Sequence, residues 1–147
     1  MSEPKTYISI SRTFDASPES VFAAWTSPAE FSRWFGTEAT AVEDVSMDLR
    51  VGGEWAARMI LGDGTEIGWH GAYLEVDAPH RLVLSLSDRP GDQFERVSVI
   101  LKAVEGGTEM TFTQSGGNMP PENYTQAEEG WRSFFDDLSK GLVAPGS

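Results

Sequence analysis

A chain of 147 residues and 16.1 kDa has the length of one ordinary domain, and folding at that size buries roughly two-thirds of the surface that the unfolded chain exposes. Its 39% hydrophobic, 11% aromatic and 23% charged residues exclude a disordered, collagen-like or coiled-coil chain, and a formal charge of -12 opposes docking on nucleic-acid phosphates or anionic lipid headgroups. With no cysteine, disulfides, thiolate nucleophiles and sulfur-ligated metals are excluded together. Residues 1–147 therefore read as a single domain. No basic region precedes an apolar run near the start and no stretch approaches membrane-spanning length, so a cytoplasmic location is expected.

From Tyr7 to Phe14, apolar Ile8, Ile10 and Phe14 alternate with polar residues, the period of a strand with one buried face. Ser17-Pro18 then offers an N-cap and a first-turn proline, with Val21, Phe22 and Trp25 on one helical face. Ser27-Pro28-Ala29-Glu30 repeats the device with capping-box spacing, and Phe31, Trp34 and Phe35 line one side before Gly36 ends the turn. These two short helices carry more aromatic surface than they can bury between themselves, so they must lie against something larger.

A run of strands supplies it. Thr37 to Val45 is a weak candidate, and Glu54–Leu61 a strong one with Trp55, Ala57, Met59 and Leu61 on one face. Gly62-Asp63-Gly64 is a hairpin turn, and Thr65 to Asp77 is a long strand in which Gly68 and Gly71 signal a bulge, a bend or a close approach. Leu82, Leu84 and Leu86 mark the next strand. Arg89-Pro90-Gly91-Asp92 separates it from Phe94–Val104, and Glu105-Gly106-Gly107 turns the chain into Thr108–Gln114. After a loop over Ser115 to Pro121, Trp131, Phe134, Phe135, Leu138 and Leu142 recur at helical spacing, so a long amphipathic helix closes the chain. Its other side carries Glu122, Glu128, Glu129, Asp136 and Asp137, a solvated acidic face.

The order is that of an α+β fold, an antiparallel sheet with its helices on one face. One amphipathic helix does not fill the concavity of so large a sheet, so a cavity is expected. Its walls would be Trp55, Met59, Trp69, Tyr73, Leu84, Leu86, Val99 and Phe112 from strands. Trp34 and Phe35 would join from the short helices, and Trp131, Phe134 and Phe135 from the last one.

Chemistry is sparse. His80 sits at a turn, whereas His70, between Trp69 and Gly71, would meet a ligand if it faced inward and could then handle a proton. Neither a His-x-His nor a His-x-x-x-His spacing exists, so no metal site is expected, and no cofactor is expected either. There is no Gly-x-Ser-x-Gly elbow and no phosphate loop, so no catalytic residue is assigned and turnover is not expected. Gln114, in line with Met110 and Phe112, either bonds a ligand or bonds the backbone at its strand end. Arg58 and Arg96 alternate to the outer face. Met119 in the 115–121 loop would act as an apolar lid.

Four separated blocks, SPESVFAAWTSPAEFSRWFG (17–36), DLRVGGEW (48–55), DGTEIGWHGAYLEVDAPHRLVLS (63–85) and EEGWRSFFDDLSKGL (128–142), resemble in order the family named for the heat-shock-protein-90 ATPase activator. That resemblance covers nearly the whole chain and implies the START-like, or SRPBCC, superfamily. Its members share a helix-grip fold, as in Bet v-like proteins, with a hydrophobic cavity between a curved sheet and a long C-terminal helix. The functional expectation is a small hydrophobic or aromatic ligand in that cavity, oriented by Gln114, His70 and Tyr73. Two alternatives stay open: a chaperone-cofactor-like stress protein acting through protein contacts, and a cofactor-independent cyclase or hydrolase using the same cavity. A dimer through a sheet edge is also left open.

Overall fold

A computed structural model describes residues 7–35, 41–87, 94–116 and 120–142. The strand β1 (Tyr7–Phe14) is followed by helices α1 (Pro18–Thr26) and α2 (Pro28–Trp34). Strands β2 (Ala41–Met47), β3 (Glu54–Ile60), β4 (Glu66–Asp77), β5 (Arg81–Leu86), β6 (Glu95–Val104) and β7 (Gly107–Ser115) come next, and helix α3 (Pro121–Gly141) ends the described chain. The seven strands form one antiparallel sheet in the order β1-β7-β6-β5-β4-β3-β2, so every step but one joins sequence neighbours and β1 closes beside β7.

The helices begin where the sequence placed them. Ser17 holds an extended backbone and its hydroxyl accepts the Ser20 N–H at 3.2 Å. Ser27 works differently from the capping box that its spacing predicts. Its side chain makes no cap bond. Its backbone serves both helices, the N–H closing α1 on the Ala23 carbonyl at 2.8 Å and the carbonyl accepting the Phe31 N–H at 2.8 Å. The weak candidate strand over 37–45 is realised as Ala41–Met47, with residues 36–40 outside the described set. The separator over 89–92 and Gly36 also lie outside it, while α2 ends at Trp34 with Phe35 as its C-cap.

In β4 the irregularity falls neither at Gly68 nor at Gly71. The β3 pairing runs unbroken from Glu54↔Ala72 to Ile60↔Glu66, and the register with β5 shifts between Tyr73 and Glu75. One extra residue, exposed Leu74, lets Tyr73 and Val76 both face inward. Gly71 is a close approach instead. A Cβ there would fall on the Ser85 carbonyl, and the space it vacates admits the Trp55 indole, whose N–H reaches that carbonyl at 2.8 Å.

All three helices lie on the inner face. Helix α1 packs on β6, β7 and α2, α2 on β2 and α3, and α3 on β1. The core beneath them joins Ile8, Ile10 and Phe14 to the inward rows of β3 to β7. On the outer face Arg58 ties three strands, reaching Glu43 at 2.8 Å, Asp44 at 2.9 Å and Glu66 at 2.6 Å. Among the described residues no helix is long and apolar enough to cross a membrane.

Candidate functional site

The inward rows of β3 to β6 and the aromatic sides of α1, α2 and α3 meet around one internal cavity. Trp55, Tyr73, Leu84, Leu86 and Val97 come from the sheet, Met47 from the end of β2, and Trp25, Phe31, Phe35 and Trp131 from the helical side. The space left between them is only about 10 Å³, room for about one water molecule. The cavity is therefore narrow, and aromatic rings fill most of the concavity that the sheet could offer.

Six of the residues expected on this wall are on it: Phe35, Trp55, Tyr73, Leu84, Leu86 and Trp131. Met59, Val99, Phe112 and Phe135 are buried in the surrounding core, and Phe134 is half-buried with its ring 5.6 Å from that of Phe35. Trp34 stands behind Phe31, its indole N–H given to the Ala24 carbonyl at 2.9 Å. Trp69 sets its ring edge against Phe35 at 5.8 Å.

Two polar residues have been taken up elsewhere. Gln114 is buried and engaged on both sides: its carbonyl oxygen accepts the Trp131 indole N–H at 2.8 Å, and its amide nitrogen donates to the Glu95 carboxylate at 3.2 Å. It bridges α3, β7 and β6. His70 requires a correction, because unbroken alternation from Ile67 through Trp69 to Tyr73 sends it to the opposite face. There its ring meets Phe94 edge-on at 5.5 Å and its backbone pairs with Ser87. Met119, expected as a lid, lies outside the described residues, as do Gly117 and Asn118.

Four wall residues escaped the sequence reading of the cavity: Trp25, Phe31, Met47 and Val97. Trp25 and Phe31 were legible as helix-face aromatics, and Val97 as part of an alternating strand. Met47 carries no signal, since it lies two residues beyond Val45, where the candidate strand ends.

The polar atoms on this wall define its chemistry. Tyr73 is 1% exposed and Trp25 2% exposed. The Tyr73 hydroxyl and the Trp25 indole N–H find no hydrogen-bond partner among the described residues, and the Trp69 indole N–H shares that condition. Burial, with a smaller contribution from the Asp48 carboxylate, pushes the Tyr73 phenol up from about 10 to about 12. Tyr73 is thus a neutral donor at any physiological pH. Among the described residues no three His, Asp or Glu side chains cluster to hold a metal ion.

Beside this cavity, Ser46 to Asp48, Arg50 and Gly52 to Glu54 line an open polar cleft of about 540 Å³. Met47 belongs to both linings. The cleft is docked on the cavity wall through the backbone of Tyr73, whose N–H bonds Gly53 at 2.9 Å and whose carbonyl accepts from Gly52 at 2.9 Å.

Comparison with known proteins places this geometry. The family model described as Activator of Hsp90 ATPase homolog 1-like protein matches residues 15–142. No curated protein matches the chain significantly. Among solved structures, a protein from Chromobacterium violaceum superposes with a TM-score of 0.83 at 23% identity, over 92% of this chain and 95% of that one. An AHSA1-like protein from Aeromonas hydrophila is 26% identical, with a TM-score of 0.78 over 91% of this chain and 90% of its own. A protein from Arthrobacter aurescens, also 26% identical, gives 0.80 over 91% and 84%. The helix-grip architecture is common to these neighbours and this chain.

Proposed function

The chain belongs to the family of Activator of Hsp90 ATPase homolog 1-like proteins, and from that premise we propose that it binds a small hydrophobic, ring-bearing molecule between the sheet, α2 and α3. One observation carries this reading. A wall made of apolar and aromatic side chains includes two almost fully buried residues, Tyr73 and Trp25, whose polar hydrogens have no acceptor among the described residues. Folded proteins leave few such groups without a partner, and each one costs about 1–3 kcal/mol when it has none.

Binding must enlarge a space of about 10 Å³. Met47 is the side chain best suited to yield, being half-buried, unbranched and shared with the open cleft. The route in would run past it, between β2 and α2. A ligand burying roughly 200 Å² of apolar surface would gain about 5 kcal/mol before the displacement of side chains is subtracted. A cytoplasmic site of action belongs to the same proposal.

The narrowness of the cavity favours a second reading, in which the core is simply filled and the protein acts by contacts with another protein, as a chaperone cofactor would. The outward position of His70 weighs against a cyclase or hydrolase, because the residue on which proton transfer would rely is on the wrong face.

Native mass spectrometry of the freshly purified protein, with displacement of a fluorescent hydrophobic probe, separates the first two. A co-purifying small molecule, or saturable probe binding that Met47→Trp blocks, is expected. A clean mass with no probe binding to the folded protein would overturn the ligand reading in favour of protein contacts.

A further inference from the structure

The five tryptophans are not treated alike by the fold. Trp34, Trp55 and Trp131 each give the indole N–H to a protein oxygen at 2.8–2.9 Å. The fold is thus able to satisfy buried indoles, and it does so on either side of the cavity. Trp25 and Tyr73 are the wall residues with a buried polar hydrogen for which no described residue supplies an acceptor.

We propose that the molecule held in this cavity is uncharged and aromatic and carries a carbonyl oxygen, which accepts hydrogen bonds from the Tyr73 hydroxyl and the Trp25 indole N–H. This rests on the ligand-binding reading above. An indole N–H donates and never accepts, so its partner must be an acceptor, and a carbonyl oxygen has two lone pairs to share with the phenol. A carboxylate has the lone pairs as well, but among the described residues no Lys, Arg or His stands on the wall to pair with it, and an unpaired buried anion is far costlier than a buried dipole. Asp48, close enough to hold the phenol proton more firmly, adds like-charge repulsion. An amine would set donor against donor at Trp25. The aromatic requirement comes from Phe31, Phe35, Trp55 and Trp131, whose ring faces and edges make the wall.

The rival occupant is one water, which about 10 Å³ would accommodate. Three probes of one shape decide between them: 2-acetylnaphthalene, 2-ethylnaphthalene and 2-naphthoate, titrated into the full chain while the indole N–H resonances are followed by NMR. The ketone is expected to bind about thirty-fold more tightly than the hydrocarbon, the worth of two hydrogen bonds, and the carboxylate more weakly than either. The Trp25 N–H resonance should move downfield with the ketone, as a new hydrogen bond requires, and not downfield with the hydrocarbon, whose ring current is the only perturbation it brings. Tyr73→Phe should cut the ketone's advantage over the hydrocarbon to about five-fold, the worth of the one hydrogen bond that Trp25 still gives; Trp25→Phe provides the same comparison should the first variant fail to fold. Equal binding of ketone and hydrocarbon, or tightest binding of the carboxylate, would overturn this proposal while leaving the ligand reading intact. Failure of all three to bind folded protein at their solubility limits would overturn both.

Discussion

Tyr73 carries a cost that its neighbours do not repay among the described residues, and this makes its removal informative. Deleting a buried hydroxyl that lacks a partner relieves its desolvation, so Tyr73→Phe is expected to stabilise the ligand-free protein by about 1 kcal/mol in urea unfolding. The pH dependence has a definite sign. In the unfolded chain the phenol ionises near 10, in the folded protein near 12, so between those values the unfolded state binds fewer protons and stability falls as pH rises. That stability is fully present below pH 10, and Tyr73→Phe should flatten the decline between 10 and 12. A spectrophotometric titration of the phenols in both proteins checks it. At Gly71 the constraint is steric. Any side chain meets the Ser85 carbonyl and crowds the Trp55 indole, so Gly71→Ala is expected to cost about 3 kcal/mol or more in the same experiment.

Elements are held to one another by a few polar bridges across the apolar core, and Gln114 is the one that fastens α3. Gln114→Ala would leave the Trp131 indole without its acceptor and withdraw a donor from Glu95, for an expected loss of about 2–3 kcal/mol. Hydrogen exchange should show faster opening of α3 amides than of β3 or β4 amides. Gln114 also marks the limit of what the sequence discloses. Strand alternation correctly turned it inward with Met110 and Phe112, but its partners come from residues 95 and 131, and no local pattern reports a pairing that distant. The same limit explains β4. Glycines within a strand signalled some irregularity, yet whether it would be a bulge or a close approach depended on what crossed the strand, and that was Trp55 from β3. Because the bulge fell after Tyr73 rather than at Gly68 or Gly71, the alternation that turns Trp69 and Tyr73 inward turns His70 outward. Strand and helix existence, by contrast, follow from periodicity and caps over a handful of residues, and the elements from Tyr7–Phe14 to α3 were legible that way except β2, a weak candidate whose bounds fall later in the chain. Six wall residues were legible for the same reason; Met47 was not, because its strand is short, acidic and interrupted at Asp44, whose φ is 54°.

At the scale of the molecule, charge opposes the fold that apolar contacts build. A formal charge of -12 on 147 residues is a net self-repulsion, and ion pairs such as those of Arg58 with its three carboxylates lie on the exposed surface where salt screens them. The repulsion extends over the whole surface while the pairs are local, so screening should favour the compact state overall. The midpoint of thermal unfolding is expected to rise between low salt and about 0.15 M sodium chloride, where the screening length falls to ~8 Å. Differential scanning calorimetry across that range reads it directly.

The tryptophans also give the protein an optical property. Trp25 stands 4.7 Å from Trp34 at 69° and 6.1 Å from Trp131 at 27°, distances at which the indole transition dipoles couple as one excitonic system rather than absorbing separately. Such coupling depends steeply on distance and angle. A molecule wedged beside Trp25 would detune it, so the circular-dichroism couplet of the indoles registers occupancy of the cavity without any added label.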